Sequence, residues 1–468
     1  MTDATVGQTL AAAAGPAGSG SGPTRRRVFR QAAGLAGVTA AAFAGACAPL
    51  PGAGQPARKI GGALIYRDWR LRAGNPVDEA FYKAVKDGFL AKFPEVKWEQ
   101  EQVPWGQPYL EKFISAAAAD AQADVVFCSV IWGRDLWEQG LLEDLGPYIA
   151  RTPSLAPRQY IEPALFYNSW KGKTFGVPHV GPDFRVLYVN RKLLRDAGID
   201  AGDEALARWT WQDMATSHQR LVQREGDTVK RAGVWFGAGA SLEDFTTFLY
   251  PNGGQFYNKD RNGVAFNTVQ GQQVLEFWID WRNKYRGHEG PQGVTTFDAF
   301  LNGAAAVVSL GSWNMRDIQG NPLSQNLDYT MMNIPRGPSG KAQATTAWTN
   351  MNVLPKQSRN KDTAWAFIEY YSSLPVAKQM FDIWKQVSPR IDFLESAEWK
   401  QAQQRIPAYG PWRRIAETGG VYAYIKNAEV TEKVQPLLRE AVVEGKRSVR
   451  EALAEAERQA NLILAQVK

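Results

Sequence analysis

The side chains that most often act as nucleophiles or metal ligands are scarce in this sequence. It has two cysteines, Cys47 and Cys128, and three dispersed histidines, at positions 179, 218 and 288. No disulfide framework, CxxC zinc pair or histidine metal cluster fits that distribution. There is no GxSxG nucleophile elbow and no HExxH motif, and Tyr167 replaces the first glycine that a phosphate loop ending at Gly172 would need. A glycosidase needs only two carboxylates, so that class of enzyme stays open.

Asp183 and Arg185 lie in the second half of residues 171–190, KGKTFGVPHVGPDFRVLYVN. Pro178 excludes a helix at this point, and the residue before it must be extended. The apolar run 186–189 then predicts a buried strand that ends at Asn190, the expected cap of a short helix. We therefore expect two extended segments with a polar loop between them, an arrangement that suits a hinge.

The preceding part of the chain predicts alternating strands and helices. Strands are expected at residues 62–68, 96–103 and 124–127, and helices after the Asn75–Pro76 pair and at residues 109–119. A β-α-β-α-β order favours a mainly parallel sheet with helices on both faces, in which ligands bind beyond the carboxyl ends of the strands. Trp69 and residues 129–132 follow two such ends.

Length and charge limit the class of protein. A chain of 468 residues is long enough for two to four domains, and with 44% hydrophobic residues it can bury sizeable cores. The net charge is +7, and residues 1–46 contribute four arginines and one aspartate, which leaves 7 − 3 = +4 for the rest. Lysine and arginine are interspersed with acidic residues there, so the sequence does not indicate nucleic-acid binding.

The first 46 residues are typical of an export signal. Arg26 and Arg27, followed by Val28 and Phe29, resemble a twin-arginine motif, and the weakly apolar run after them is too short to span a bilayer. The residues around Cys47 resemble a bacterial lipoprotein cleavage site, where the thiol is acylated. We expect residues 47–59, rich in proline and glycine, to be a tether. The alternative is a soluble protein cleaved nearby.

Several dispersed motifs, taken together, resemble one family. The matching segments are the crossover stretch 171–190 with LLRDAG after it, residues 297–313 (FDAFLNGAAAVVSLGSW), residues 329–336 with GPSG after them, residues 360–373 (NKDTAWAFIEYYSS) and residues 439–461. They are similar to segments of the family 1 extracellular solute-binding proteins, the receptors of ABC importers. The resemblance spans residues 60–465. It implies an α/β, two-lobed periplasmic-binding-protein-like fold of type II, with a ligand cleft between lobes joined by hinge crossings.

The resemblance also implies an architecture and a function. The amino-terminal lobe would comprise residues 60–176 and 350–395, and the carboxyl-terminal lobe residues 177–349 and 396–468. The protein would be an exported, lipid-anchored or periplasmic monomer without cofactor or metal that closes on a sugar or related polyhydroxylated solute and delivers it to a membrane permease. An exported glycan-acting hydrolase is the alternative, and a purely structural lipoprotein is a third hypothesis.

The expected ligand contacts follow from the same resemblance. Trp313 matches a position that stacks on sugar, and Asp183 matches a carboxylate that binds hydroxyl groups. At Ile131 and Trp132 the family's well-known sugar binder has a carboxylate and a basic residue, which argues against maltose-like specificity. The full set of expected ligand-binding residues is Trp69, Ser129, Trp132, Asp183, Trp313, Asn350 and Trp412. Each tryptophan has packing as its alternative role, Asp183 and Asn350 have turn roles, and Cys128 is expected to be a small buried residue.

Overall fold

The computed structural model describes residues 59–236, 240–260, 262–421 and 427–466. The predicted export signal with Arg26 and Arg27, the acylation site Cys47 and the tether up to residue 58 lie outside the described residues. The described residues belong to one compact unit. Within the described residues, no helix is long and apolar enough to cross a membrane.

The strands are β1 (Gly62–Asp68), β2 (Val96–Gln102), β3 (Val125–Cys128), β4 (Ser169–Trp170), β5 (Lys173–Thr174), β6 (Val177–Asn190), β7 (Gln223–Glu225), β8 (Thr228–Trp235), β9 (Ala305–Gly311), β10 (Tyr329–Met332), β11 (Thr345–Val353) and β12 (Gly419–Val421).

The helices are α1 (Pro76–Lys92), α2 (Gln107–Ala118), α3 (Val130–Glu138), α4 (Gly146–Ala150), α5 (Arg191–Asp196), α6 (Asp203–Leu206), α7 (Trp211–Leu221), α8 (Leu242–Leu249), α9 (Val269–Asn283), α10 (Thr296–Leu301), α11 (Asn314–Gln319), α12 (Lys361–Tyr371), α13 (Leu374–Trp384), α14 (Ile391–Leu394), α15 (Ala397–Arg405), α16 (Trp412–Glu417), α17 (Asn427–Val442) and α18 (Val449–Ala465).

The predicted β-α-β-α-β order is present at the start of the described chain. β1 pairs in parallel with both β2 and β3. α1 begins where the sequence indicates, because Asn75 Oδ1 accepts from the N–H groups of Val77 and Asp78, 3.1 Å each, and Pro76 needs no donor partner. The helix then buries Phe81 and Phe89 against the sheet.

One sheet runs through the structure in the order β2-β1-β3-β11-β6-β9-β8-β7, with β10 beside β6 and β12 beside β11. The long strands β6 and β11 are antiparallel neighbours at its centre. One end of this pair contacts β3, and the other end of β6 pairs with β9. Each side has its own core: Phe81, Phe367 and Trp384 belong to one cluster, and residues such as Phe248, Trp278 and Leu453 belong to another.

The prediction of a polar loop around Asp183 and Arg185 is wrong. β6 is one continuous strand from Val177 to Asn190. Its backbone pairs with β11 as far as Phe184 and with β9 from Arg185 onward, so distant strands supply the hydrogen bonds that a loop would take from water. The register between β6 and β11 shifts near Trp348 and Asn350, and the sheet is irregular at this point.

A third segment passes close to the β6–β11 crossing. The N–H of Gly181 donates to the carbonyl of Val387, 2.9 Å away, just after α13. The exact lobe boundaries at residues 176/177, 349/350 and 395/396 stay a prediction.

Candidate ligand-binding cleft

A cavity of about 410 Å³ opens beside the crossing of β6 and β11. Its walls come from the segments after β1 and β2, the start of α3, the middle of β6 and β11, and the turn between β9 and α11. Four tryptophans line it, at positions 69, 105, 313 and 348, with four arginines, at positions 70, 72, 185 and 316, and the carboxylates of Asp183 and Glu243.

Asp183 is the buried polar centre of this cavity. Its Oδ2 atom accepts from Arg70 Nη2 at 2.7 Å and from Asn350 Nδ2 at 3.2 Å. Burial raises the pKa of Asp183, although the guanidinium of Arg70 opposes that shift. The carboxylate therefore joins the segment after β1, the strand β6 and the strand β11 at one point.

Asn350 and Ser129 hold the start of α3 at the cavity wall. Asn350 Oδ1 accepts from the N–H of Val130 at 3.3 Å, while its amide group donates to Asp183. Ser129 is the N-cap of α3 and its hydroxyl accepts from the N–H of Ile131 at 3.3 Å. Both residues are almost fully buried, and both line the cavity.

A buried cluster beneath the cavity positions Arg70. Asp68 is fully buried at the end of β1, and its Oδ1 atom accepts from the backbone N–H of Arg70 at 2.7 Å. The hydroxyl groups of Tyr66 and Tyr82 donate to Oδ2 of Asp68, and His179 Nε2 lies 3.7 Å from the same oxygen. Burial raises the pKa of Asp68 and holds the pKa of His179 well below its usual range.

Trp313 lies at the turn after β9, with its ring against the backbone. A Cβ atom on Gly311 would be 2.2 Å from the indole, so only glycine allows this approach. The Trp348 ring centroid is 5.5 Å from that of Trp313 at an angle of 57°, and the Arg185 guanidinium carbon lies 5.2 Å from the Trp313 ring centroid. Trp313 is half-buried, and one part of its surface faces the cavity.

Arginines from both sides of the cleft share two aspartates. Asp78, on α1, accepts from Arg72 Nε at 2.7 Å and from Arg316 Nη1 at 3.0 Å. Asp317, on α11, accepts from Arg72 Nη2 at 3.3 Å and from Arg316 Nε at 3.4 Å. These pairs connect α1 and the segment before it with α11, on opposite sides of the cavity.

The cavity brings together five of the seven residues expected to bind the ligand: Trp69, Ser129, Asp183, Trp313 and Asn350. Trp132 is not among the lining residues. Its ring contacts that of Trp69 edge to face, with centroids 6.0 Å apart, and stacks on Tyr109, with centroids 5.7 Å apart. Trp412 is 2% exposed and packs in the core against Phe184 and Trp399, so it has no surface to offer a ligand.

The cavity lining also includes residues that were not predicted from the sequence, among them Arg70, Arg72, Trp105, Arg316 and Trp348. Arg70, Arg72 and Trp105 could have been found, because they follow the carboxyl ends of β1 and β2, the same position that indicated Trp69. Trp348 and Arg316 gave no such signal: Trp348 lies inside β11, and Arg316 lies in the first turn of α11. Within the described part of the chain, no group of histidine, cysteine and acidic side chains is arranged to hold a metal ion. Cys128 is buried, which raises the pKa of its thiol.

Known proteins resemble this chain in sequence and in fold. The chain is 23% identical over 243 residues to the maltooligosaccharide ABC transporter solute-binding lipoprotein of Streptococcus pneumoniae (strain R6), 49% of this chain and 52% of that protein. The GacH receptor of Streptomyces glaucescens, solved unliganded and with acarbose, superposes with a TM-score of 0.71 at 21% identity, over 88% of this chain and all of that one. The sugar-binding protein MalE of Xanthomonas citri gives 0.71 at 21% identity, over 86% and 98%.

These superpositions confirm the two-lobed, periplasmic-binding-protein-like α/β fold that the sequence predicts. The family described as bacterial extracellular solute-binding protein matches residues 73–378, about two thirds of the chain. The family assignment therefore rests on this sequence match, and the superposed structures agree with it in fold. The chain belongs to the bacterial extracellular solute-binding protein family.

Proposed function

We propose that this protein is the extracytoplasmic receptor of an ABC importer and captures a sugar or a related polyhydroxylated solute in the cleft at the β6–β11 crossing. The observation that carries the proposal is the composition of that cleft, in which four tryptophans surround Asp183, Asn350 and Ser129. The names of the relatives support it, because the pneumococcal lipoprotein is named for maltooligosaccharide and the other two for a receptor solved with acarbose and a sugar-binding protein.

The cleft has the two kinds of surface that a sugar needs. Trp69 and Trp313 offer aromatic faces to the apolar C–H faces of a pyranose ring. Asp183 accepts from sugar hydroxyl groups, and Arg70 and Asn350 donate to them. Asp183 already joins the segment after β1 to the strands β6 and β11. A ligand that binds Asp183 therefore lies next to segments that closure would bring together.

The proposal includes lobe closure and delivery. The strands β6 and β11 pass side by side between the two cores, so bending at this pair changes the width of the cleft without free rotation. Ligand contact with both sides stabilises the closed form, which the permease would recognise. Export through Arg26 and Arg27 and acylation at Cys47 would keep a monomeric receptor at the outer face of the membrane, and the lipoprotein name of the pneumococcal relative supports this part.

The test is binding without turnover. The purified protein is screened by thermal shift against oligosaccharides, monosaccharides, polyols and glycosides, because a ligand at 100 times its Kd raises stability by about 2.7 kcal/mol. Hits are measured by titration calorimetry with wild type, Asp183→Asn and the control Asp87→Asn, whose carboxylate is exposed on α1. For a neutral sugar, we expect weaker binding only in Asp183→Asn. Release of a cleaved sugar during prolonged incubation would instead show a glycan-acting hydrolase, and scattering that gives an unchanged radius of gyration at saturation would refute closure.

A further inference from the structure

The cleft presents far more hydrogen-bond donors than acceptors to its ligand. Four guanidinium groups line it, at positions 70, 72, 185 and 316, against the carboxylates of Asp183 and Glu243 alone, so the formal charge of the lining side chains is 4 − 2 = +2. Neutral sugars need both donors and acceptors, since each hydroxyl group does both. The excess of arginine is therefore not explained by a neutral ligand.

The carboxylates that balance the arginines lie behind them. Asp78 is fully buried under the cleft, where it also accepts from Trp384 Nε1 at 2.7 Å, and neither Asp78 nor Asp317 is a lining residue. The cluster as a whole is neutral, but its acidic members serve as anchors that fix the direction of Arg72 and Arg316. A ligand in the cavity meets the guanidinium groups of Arg72 and Arg316 and not the carboxylates of Asp78 and Asp317, whereas Arg70 and Arg185 pair with the lining carboxylates Asp183 and Glu243.

Arg316 has donors left for a ligand. A guanidinium carries five N–H groups, and the bonds to Asp78 and Asp317 use two of those on Arg316. Its side chain is 11% exposed, and burial followed by the nearby charges of Arg72 and Arg70 lowers its pKa, so the charged form lacks part of the stabilisation it has in water. An anion in the cleft would restore that stabilisation.

Arg70 and Arg316 line the same cavity and come from different segments of the fold. Their guanidinium carbons each lie 5.6 Å from the centroid of the Trp384 ring, and Arg70 reaches it from the segment after β1 while Arg316 reaches it from α11. A carboxylate accepts two parallel N–H bonds from one arginine and can share a second arginine through its other lone pairs. Such a contact would draw both sides of the cleft onto one ligand group.

We propose that the ligand is an acidic saccharide, one that bears a carboxylate on its sugar ring, as a uronic acid does. The carboxylate binds Arg316 and Arg70, while the sugar faces lie against Trp69 and Trp313. This inference rests on the proposed function, because it names the class of sugar for the same cleft.

The test compares acidic oligosaccharides with their own methyl esters, which keep every hydroxyl group and remove the charge. Di- and trisaccharides of galacturonate, glucuronate and mannuronate, their methyl esters and neutral malto-oligosaccharides are titrated by calorimetry at low and at physiological ionic strength. We expect an acid to bind at least about tenfold more tightly than its ester, with a preference that falls as salt is added. Arg316→Gln should cost at least about tenfold for the acid and little for the ester.

The controls separate recognition from folding. Arg195→Gln removes an exposed arginine that pairs with Asp328 and does not line the cleft, and it should change neither affinity. Arg72→Gln provides a second cleft variant if Arg316→Gln melts early. A neutral sugar or ester that binds as tightly as the acid would overturn this inference and leave the proposed function in place. An acid preference retained in both cleft variants would also overturn it. Failure of every saccharide to bind would overturn both.

Discussion

Trp313 and Trp412 offer a matched test of where ligand recognition lies. Both were expected to stack on the ligand, and the structure places one at the cleft and the other in the core. We predict that Trp313→Ala loses ligand affinity with a modest change in stability, and that Trp412→Ala loses stability and keeps its affinity in the folded protein. The same chemical change is made at both sites, so the difference reports position alone.

The magnitudes follow from burial. Trp412 is 2% exposed and packs between Phe184 and Trp399, so truncation to alanine leaves a cavity and should lower the free energy of unfolding by about 3–5 kcal/mol. Trp313 is half-buried before ligand binds, so its truncation should cost clearly less than Trp412→Ala.

The expected loss of ligand affinity in Trp313→Ala comes from the contacts that this ring makes with a sugar. An aromatic stacking contact contributes about 0.5–1.5 kcal/mol beyond area burial, and covering the exposed part of the ring contributes about 1–2 kcal/mol more. The sum corresponds to a loss of at least about tenfold in Kd for Trp313→Ala, since about 1.4 kcal/mol is tenfold.

Calorimetry with the best ligand of the screen and denaturant unfolding of the ligand-free proteins measure the two effects separately. An unchanged Kd in Trp313→Ala, together with a stability loss as large as that of Trp412→Ala, would show that Trp313 is packing and that the cleft does not bind through its face. A weakened Kd in Trp412→Ala at unchanged stability would refute the placement of that residue in the core.

Three further predictions test the surroundings of the cleft. Gly311→Ala should weaken ligand binding by displacing the Trp313 ring, measured by calorimetry, with a fold unchanged by circular dichroism. His179→Gln should reduce the loss of stability between about pH 7 and pH 5. Burial lowers the pKa of His179, so its contribution to stability is present above the pKa of the unfolded state and is lost as pH falls, by at most about 1.4 kcal/mol per pH unit. Denaturant unfolding at each pH measures this loss. Cys47→Ala should move the protein from the membrane fraction to the soluble one, and an unchanged distribution on immunoblots would contradict lipid anchoring.

The general architecture could be predicted because it depends on local pattern. The helix α1 follows from the Asn75–Pro76 pair and its four-residue apolar spacing, and the order of strands and helices implied a sheet with a ligand site at its carboxyl edge. That rule located Trp69 and Ser129, and applied without exception it would also have located Arg70 and Trp105.

The details that local pattern missed depend on distant pairing. Gly181 and Pro182 indicate a turn, yet β11 and β9 pair with this segment and extend it through Asp183. Trp412 follows a segment with proline and glycine, a pattern typical of an aromatic residue in a loop. Its neighbours Phe184 and Trp399 come from other parts of the chain and bury it. The sequence also did not predict the charge balance of the cleft, because Arg316 pairs with Asp78 and Asp317, which lie on opposite sides of the cleft.

Asp183 gives the last prediction, because neutral and acidic ligands make opposite demands on it. A neutral sugar donates hydroxyl hydrogens to this carboxylate, so Asp183→Asn should weaken its binding by about 1.5–3 kcal/mol, the range for a hydrogen bond to a charged group. An acidic saccharide competes with Asp183 for Arg70, which lies 2.7 Å away, and the same substitution frees that guanidinium and removes a repulsive charge. Its affinity should hold or rise. Titration of Asp183→Asn with an acid and its methyl ester therefore measures a change in selectivity, and a parallel loss for both ligands would show that Arg70 belongs to Asp183 and not to the ligand.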